Sequence, residues 1–244
     1  MSYSGGSAED QREPLAYVHV LTDSRGNNFD NGRIFNQPRD FLVKYCIVRG
    51  AKVKKLQEEF LEQIKTENFN QYFPIIVKIA VGLNNFTILT ENKLGTKELF
   101  YSGVKADDVF LELLEFKQVV KENIPRALIG FITVPPVSLR KFREYSASNE
   151  PDNKYEQSDI QLANDQNIIE SEIEILNSKL SFENCKKQDG HLKGCRTISW
   201  HNSVWRLSKV KEGKGTSILI KQTFVNYMTE CMAHLSSNIS GLKN

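Results

Sequence analysis

Apolar residues recur along this chain in two rhythms. Short runs rich in β-branched and aromatic residues predict four strands: Ala16 to Thr22, Phe41 to Val48, Ile75 to Val81 and Ala127 to Val134. Between them the spacing is helical. Val53, Leu56, Phe60 and Ile64 share one face of Val53 to Thr66, and Val109, Leu113, Phe116 and Val120 share one face of Asp107 to Asn123. Parallel strands need a crossover, so strands alternating with helices predict a buried, mostly parallel sheet.

Beyond Pro135-Pro136 the pattern weakens. Ser146 to Asp159 is polar and reads as an exposed connection, and a further helix follows with the stripe Ile169, Ile173, Leu176 and Leu180. Arg196 to Trp200 is a candidate fifth strand. A last helix is predicted over about Thr216 to Leu235, where Ile220, Phe224, Tyr227, Met228, Cys231 and Leu235 recur at helical spacing. The expected fold is a three-layer α/β/α domain around a sheet of about five strands. In such sheets ligands bind at the carboxyl ends of the strands, so the loops to inspect are Thr22 to Asn28, Arg49 to Lys52, Gly82 to Lys105 and Pro135 onward.

Length and composition agree with one globular domain. The chain has 244 residues, 40% hydrophobic and 25% charged, and reads as a domain over residues 14–236 between polar tails at 1–13 and 237–244. No secretory signal pattern opens it, and its richest apolar stretches are too short to span a membrane. Four cysteines are too few for a disulfide framework, and Cys46 and Cys231 sit within apolar patterns that suit buried thiols. An intracellular, cytoplasmic or nuclear protein with no membrane partner is expected.

Charge changes the picture in one respect. Nine acidic residues lie between Glu150 and Glu183, and nine basic residues between Lys186 and Lys221, although the net charge is only +2. The basic stretch contains Trp200 and Trp205. Lysines beside an exposed aromatic grip phosphates and stack on bases, which makes Lys209, Lys211, Lys214 and Trp205 candidates for binding nucleic acid. A solvated positive face with its tryptophans in the core accounts for the same residues.

The candidate chemistry gathers at strand ends. The first strand runs into Thr22-Asp23-Ser24-Arg25-Gly26, where a hydroxyl stands on a tight turn and a glycine lets backbone approach closely. Asp23 or Ser24 equally suits a helix cap. The second strand ends in Val48-Arg49-Gly50-Ala51 and the third in Val81-Gly82-Leu83-Asn84-Asn85. A glycine N–H and an asparagine amide beside a serine are the donors that hold a developing oxyanion in acyl transfer.

These blocks resemble the SGNH (GDSL-like) hydrolase family. Asp23-Ser24 with Gly26 is similar to its nucleophile block, Gly50 to its second-block glycine, and Gly82-x-Asn84 to its glycine-x-asparagine block, with Asn85 where an aspartate is common. The run Thr133-Val134-Pro135-Pro136 also resembles the family's fourth strand. The resemblance covers about Tyr17 to His234 and comes nearest to the SGNH-like domains in open reading frames of transposable elements. It implies a flavodoxin-like fold, a small ester as substrate, Ser24 as nucleophile, and an oxyanion hole formed by the Ser24 N–H, Gly50 and Asn84. The family's aspartate-x-x-histidine motif is replaced by Glu212-Gly213-Lys214-Gly215, with glycine in the place of the base.

An unassisted serine hydroxyl stays protonated near neutral pH, so another imidazole is needed for hydrolysis. His201 and His191 are the candidates; the second has Asp189 two residues before it. Both are also ordinary surface or packing histidines by type. His19 reads as a strand residue, and His234 carries no further signal. Without a base, the same scaffold is a degenerate module binding nucleic acid or a protein partner. Cys185, His191, Cys195 and His201 contain zinc-ligand types at a spacing that matches no standard finger, and no metal is assigned to them. No phosphate-binding or dinucleotide glycine loop is present, so no nucleotide cofactor is expected.

Overall fold

A computed structural model describes residues 16–24, 41–72, 74–93, 95–149 and 154–185. Its first strands are β1 (Ala16–Asp23), β2 (Phe41–Val48) and β3 (Ile75–Ala80), with helix α1 (Val53–Ile64) crossing between the last two. A hairpin of β4 (Thr87–Glu91) and β5 (Lys97–Tyr101) follows, then α2 (Ala106–Asn123), β6 (Ala127–Phe131), α3 (Leu139–Asn149) and α4 (Asp159–Cys185). The main sheet has the order β2-β1-β3-β6, and all its described pairs are parallel. This is the α/β architecture expected, with four described strands in the main sheet; the candidate strand Arg196 to Trp200 and the helix after it lie outside the described residues.

Strand alternation sends Tyr17, Leu21, Ile75, Val77, Ile79, Ile129 and Phe131 into one apolar core with the buried stripes of α1, α2 and α4. The predicted stripes are the ones buried: Val53, Leu56 and Phe60 on α1, Val109, Leu113, Phe116 and Val120 on α2, and Ile169, Ile173, Leu176 and Leu180 on α4. Val18, Val20 and Ile76 alternate onto the opposite face and are also buried. Burying a large aliphatic side chain stabilises by about 1.5–3 kcal/mol, so this core dominates the favourable side. Cys46 is fully buried, and burial pushes its thiol up to about 12.

Two expectations are corrected. The loop from Gly82 to Lys105 contains the β4–β5 hairpin, closed by Asn92, which takes Thr96 N–H on its Oδ1 at 3.0 Å. The connection from Ser146 to Asp159 is partly structured: α3 runs to Asn149, α4 starts at Asp159, and Gln157 is buried. Buried Glu98 on β5 anchors that segment by accepting the Glu156 and Gln157 backbone N–H groups at 3.0 and 2.9 Å. Polar residues look like a loop in sequence, but here they supply the partners that let backbone be buried.

Helix α4 is tied to the chain leaving β6 by a row of amides. Asn184 Oδ1 accepts from Phe131 N–H at 2.9 Å while its Nδ2 donates to Phe131 O at 2.8 Å. Asn177 does the same for Val134, at 2.7 and 2.8 Å. Gln166 bonds Leu139 N–H and Val137 O, each at 2.7 Å. These side chains satisfy backbone groups of Phe131, Val134, Val137 and Leu139; β6 itself ends at Phe131 and not at the predicted Val134, because its partner β3 ends at Ala80.

Candidate functional site

The carboxyl ends of β1, β2 and β3 meet because their register is shared: Asp23 lies opposite Val48, and Thr22 opposite Ala80. The turns that follow each strand are therefore adjacent. Val48-Arg49-Gly50-Ala51 is closed by Ala51 N–H bonding Val48 O at 3.2 Å, with Gly50 at φ +65° in the place where a turn favours glycine. Gly50 is exposed, and its N–H makes no hydrogen bond among the described residues.

After β3, Gly82 takes φ +137°, a conformation that only glycine adopts readily, and turns the chain into a single 3-10 turn, Leu83–Asn85. The turn aims its two asparagines in different directions. Asn84 is half-buried and points to the strand ends: its Nδ2 donates to Asp23 Oδ2 at 3.3 Å and to the Ala51 carbonyl at 3.1 Å. One side chain thus ties the ends of all three strands together. Asn85 is buried and structural, with Oδ1 accepting from the first amide of α1, Val53 N–H, at 3.2 Å. Helix α1 has no cap from its own Lys52, so this bond supplies one.

Asp23 is buried and Ser24, one residue beyond β1, is half-buried at the end of that strand. The fold therefore brings together the ends carrying Ser24, Gly50 and Asn84. The donors suit an oxyanion: a backbone N–H with no partner among the described residues and a side-chain amide, over a low-dielectric core. Asp23 is the residue whose role the sequence understated, since its carboxylate accepts a hydrogen bond from Asn84.

The candidate bases His191 and His201 lie outside the described residues, as do Cys195, Trp205, Lys209, Lys211, Lys214 and the Glu212-Gly213-Lys214-Gly215 segment. Cys185 is the last residue of α4. Among the described residues no group of histidine, cysteine, aspartate and glutamate side chains is arranged to hold a metal, and no helix is long and apolar enough to cross a membrane. His19 is no part of the strand-end site. It is buried near the middle of β1, edge-on to Tyr17 and against Phe60, each with ring centroids 5.8 Å apart, and burial lowers its pKa to about 4.

No protein-family model matches the chain, and no curated protein matches it in sequence. Among solved structures it is similar to a member of the lipolytic protein G-D-S-L family from Veillonella parvula, with 10% identity over 88% of this chain and 98% of that one, at a TM-score of 0.50. A candidate GDSL-like lipase from Parabacteroides merdae shares 13% identity over 91% of this chain and 97% of that one, at 0.47. A candidate platelet activating factor from Streptococcus pneumonia shares 14% identity over 78% and 79%, at 0.41. At such identities the likeness to the first of these is one of architecture: the chain has the α/β fold of a lipolytic G-D-S-L protein.

Proposed function

We propose that this protein is a serine ester hydrolase of the SGNH type acting on a small acyl ester. The observation that carries the reading is Asn84, whose amide stands at the junction of three strand ends, beside the Gly50 turn and one residue from Ser24. Ser24 Oγ attacks the acyl carbonyl carbon and gives its proton to an imidazole. The carbonyl oxygen becomes an oxyanion held by the Ser24 and Gly50 N–H groups and by Asn84 Nδ2. Collapse expels the alcohol, which recovers the proton, and water then releases the acid from Ser24 by the same steps in reverse. His201 or His191 is the base in this scheme.

The test is cleavage of a short-chain chromogenic ester. Ser24→Ala should lower kcat/KM by about 10³-fold or more, and either His201→Ala or His191→Ala should do the same. Full activity in Ser24→Ala removes Ser24 from the mechanism.

A second reading is favoured by Glu212-Gly213-Lys214-Gly215, where the family motif has its histidine, and by the resemblance to transposable-element domains. In that reading the scaffold is catalytically degenerate and binds nucleic acid through Lys209, Lys211, Lys214 and Trp205. It requires a wild-type protein without esterase activity that binds a polyanion in a steeply salt-dependent way, and loses binding when the three lysines are reversed in charge. A protein partner on the same surface would instead leave polyanion binding absent.

A further inference from the structure

We infer that Asp23 is a positioning residue for the oxyanion donor Asn84, an inference that rests on the hydrolase reading of Ser24. An amide nitrogen has two hydrogens, and both are directed here: one toward the Ala51 carbonyl at 3.1 Å, one toward Asp23 Oδ2 at 3.3 Å. With two acceptors on different strand ends, the amide plane of Asn84 is fixed against rotation about its terminal torsion, which is otherwise broad. Its carbonyl oxygen, which would repel an oxyanion, is thereby turned away from the two acceptors. The longer bond to Asp23 is the one able to share its hydrogen with a new acceptor at the strand ends.

Asp23 is well placed for this work. It is 1% exposed, at the end of the strand that leads into Ser24, where the ladder pairs it with Val48 of β2 and its neighbour Thr22 with Ala80 of β3. The chain thus places the nucleophile and the residue that orients its oxyanion donor at consecutive positions. A displacement of about 1 Å in a catalytic group can cost 10²-fold in rate, so the orienting bond has a measurable consequence.

The decisive experiment uses the full chain and compares Asp23→Ala, Asp23→Asn and Asn84→Ala. Asp23→Ala should lower kcat about 10- to 100-fold with KM within about twofold of wild type, and Asp23→Asn, whose carbonyl still accepts the bond, should recover most of that loss. The Asp23→Ala/Asn84→Ala pair should be no slower than Asn84→Ala alone. In parallel, the Asn84 side-chain amide protons, followed by NMR, should shift in Asp23→Ala and stay close to wild type in Asp23→Asn. A Ser24-dependent activity that Asp23→Ala leaves intact, additive losses in the double variant, or Asp23→Asn as slow as Asp23→Ala would each overturn the inference while leaving the hydrolase reading in place. Absence of any Ser24-dependent activity would instead fail the hydrolase reading. The NMR comparison still decides the Asp23–Asn84 bond in that case: unchanged amide shifts in Asp23→Ala overturn it.

Discussion

Asn85 Nδ2 donates to Glu112 Oε2 at 2.9 Å, joining the turn after β3 to α2. Its side-chain oxygen Oδ1 is committed to Val53 N–H, and Ser102 Oγ donates to its backbone carbonyl at 2.6 Å, so Asn85 links β3, α1, α2 and the end of the hairpin. An aspartate at this position would keep the cap on α1 but face Glu112 with a second carboxylate. Two such groups in hydrogen-bond contact cannot both ionise without cost. Asn85→Asp should therefore lower stability at pH 7 by about 1–3 kcal/mol in urea denaturation, with less loss at pH 5, where one carboxyl gains a proton. Adding Glu112→Gln supplies a donor and should restore most of the loss at pH 7.

His19 makes the fold sensitive to acid from inside the sheet. Its folded pKa, lowered by burial to about 4, lies below the 6.5 of the free imidazole, so the unfolded chain binds the proton more readily. The contribution is complete above pH 6.5, is lost as pH falls from there, and is fully lost below about 4. Over that window the change is worth about 3 kcal/mol. His19 Nε2 is buried with no hydrogen-bond partner among the described residues, and the ring packs against Tyr17 and Phe60, so a phenyl ring suits the site. Thermal unfolding of His19→Phe should show a shallower fall in stability between pH 6.5 and pH 4 than wild type; an equal slope would assign the acid sensitivity to other groups.

The amide row on α4 makes a prediction about the chain that leaves β6. Each of Asn177 and Asn184 pairs both a backbone donor and a backbone acceptor, at residues 134 and 131. Replacing either by alanine leaves two polar groups to find water, and Phe131 and Val134 are buried. The expected loss is about 2–4 kcal/mol for Asn184→Ala, which is itself 6% exposed, and somewhat less for Asn177→Ala, which is half-buried. Hydrogen exchange should locate the damage at Phe131 and Val134 amides. Protection unchanged there would mean that the helix is held by its apolar stripe alone.

The strands and the apolar stripes were legible because burial imposes a period on the sequence: Leu56 and Phe60, or Ile169 and Ile173, can share a face only in a helix. Ser24, Gly50 and Asn84 were legible as a set because parallel strands place their carboxyl ends together. What escaped was work done by polar side chains over long distances in sequence. Asn177 and Asn184 on α4, Glu98 on β5 and Asp23 beneath Asn84 bond residues 43, 53, 58 and 61 positions away, and no local pattern marks such a partner. The hairpin escaped for a related reason. Its exposed strand β4 keeps Ile88 and Leu89 half in solvent, so the two-residue alternation of a half-buried strand is missing.

Two glycines at the candidate site should respond differently to the same substitution. Gly50, at φ +65°, lies in the left-handed region, and a Cβ added there meets nothing within 4 Å. Gly50→Ala therefore carries only the conformational cost, about 1 kcal/mol, with the N–H still in place. Gly82, at φ +137°, lies where side chains are excluded, and its Cβ would come within 3.1 Å of Val134 Cγ2 and 3.4 Å of Leu176 Cδ2. Relief requires the turn to move, and Asn84 moves with it, away from Asp23 and Ala51. Gly82→Ala should thus cost about 2 kcal/mol or more in stability and lower kcat toward that of Asn84→Ala, whereas Gly50→Ala should keep most of its turnover. Equal effects in the two variants, measured by denaturation and by ester cleavage, would show that the turn after β3 does not set the placement of Asn84.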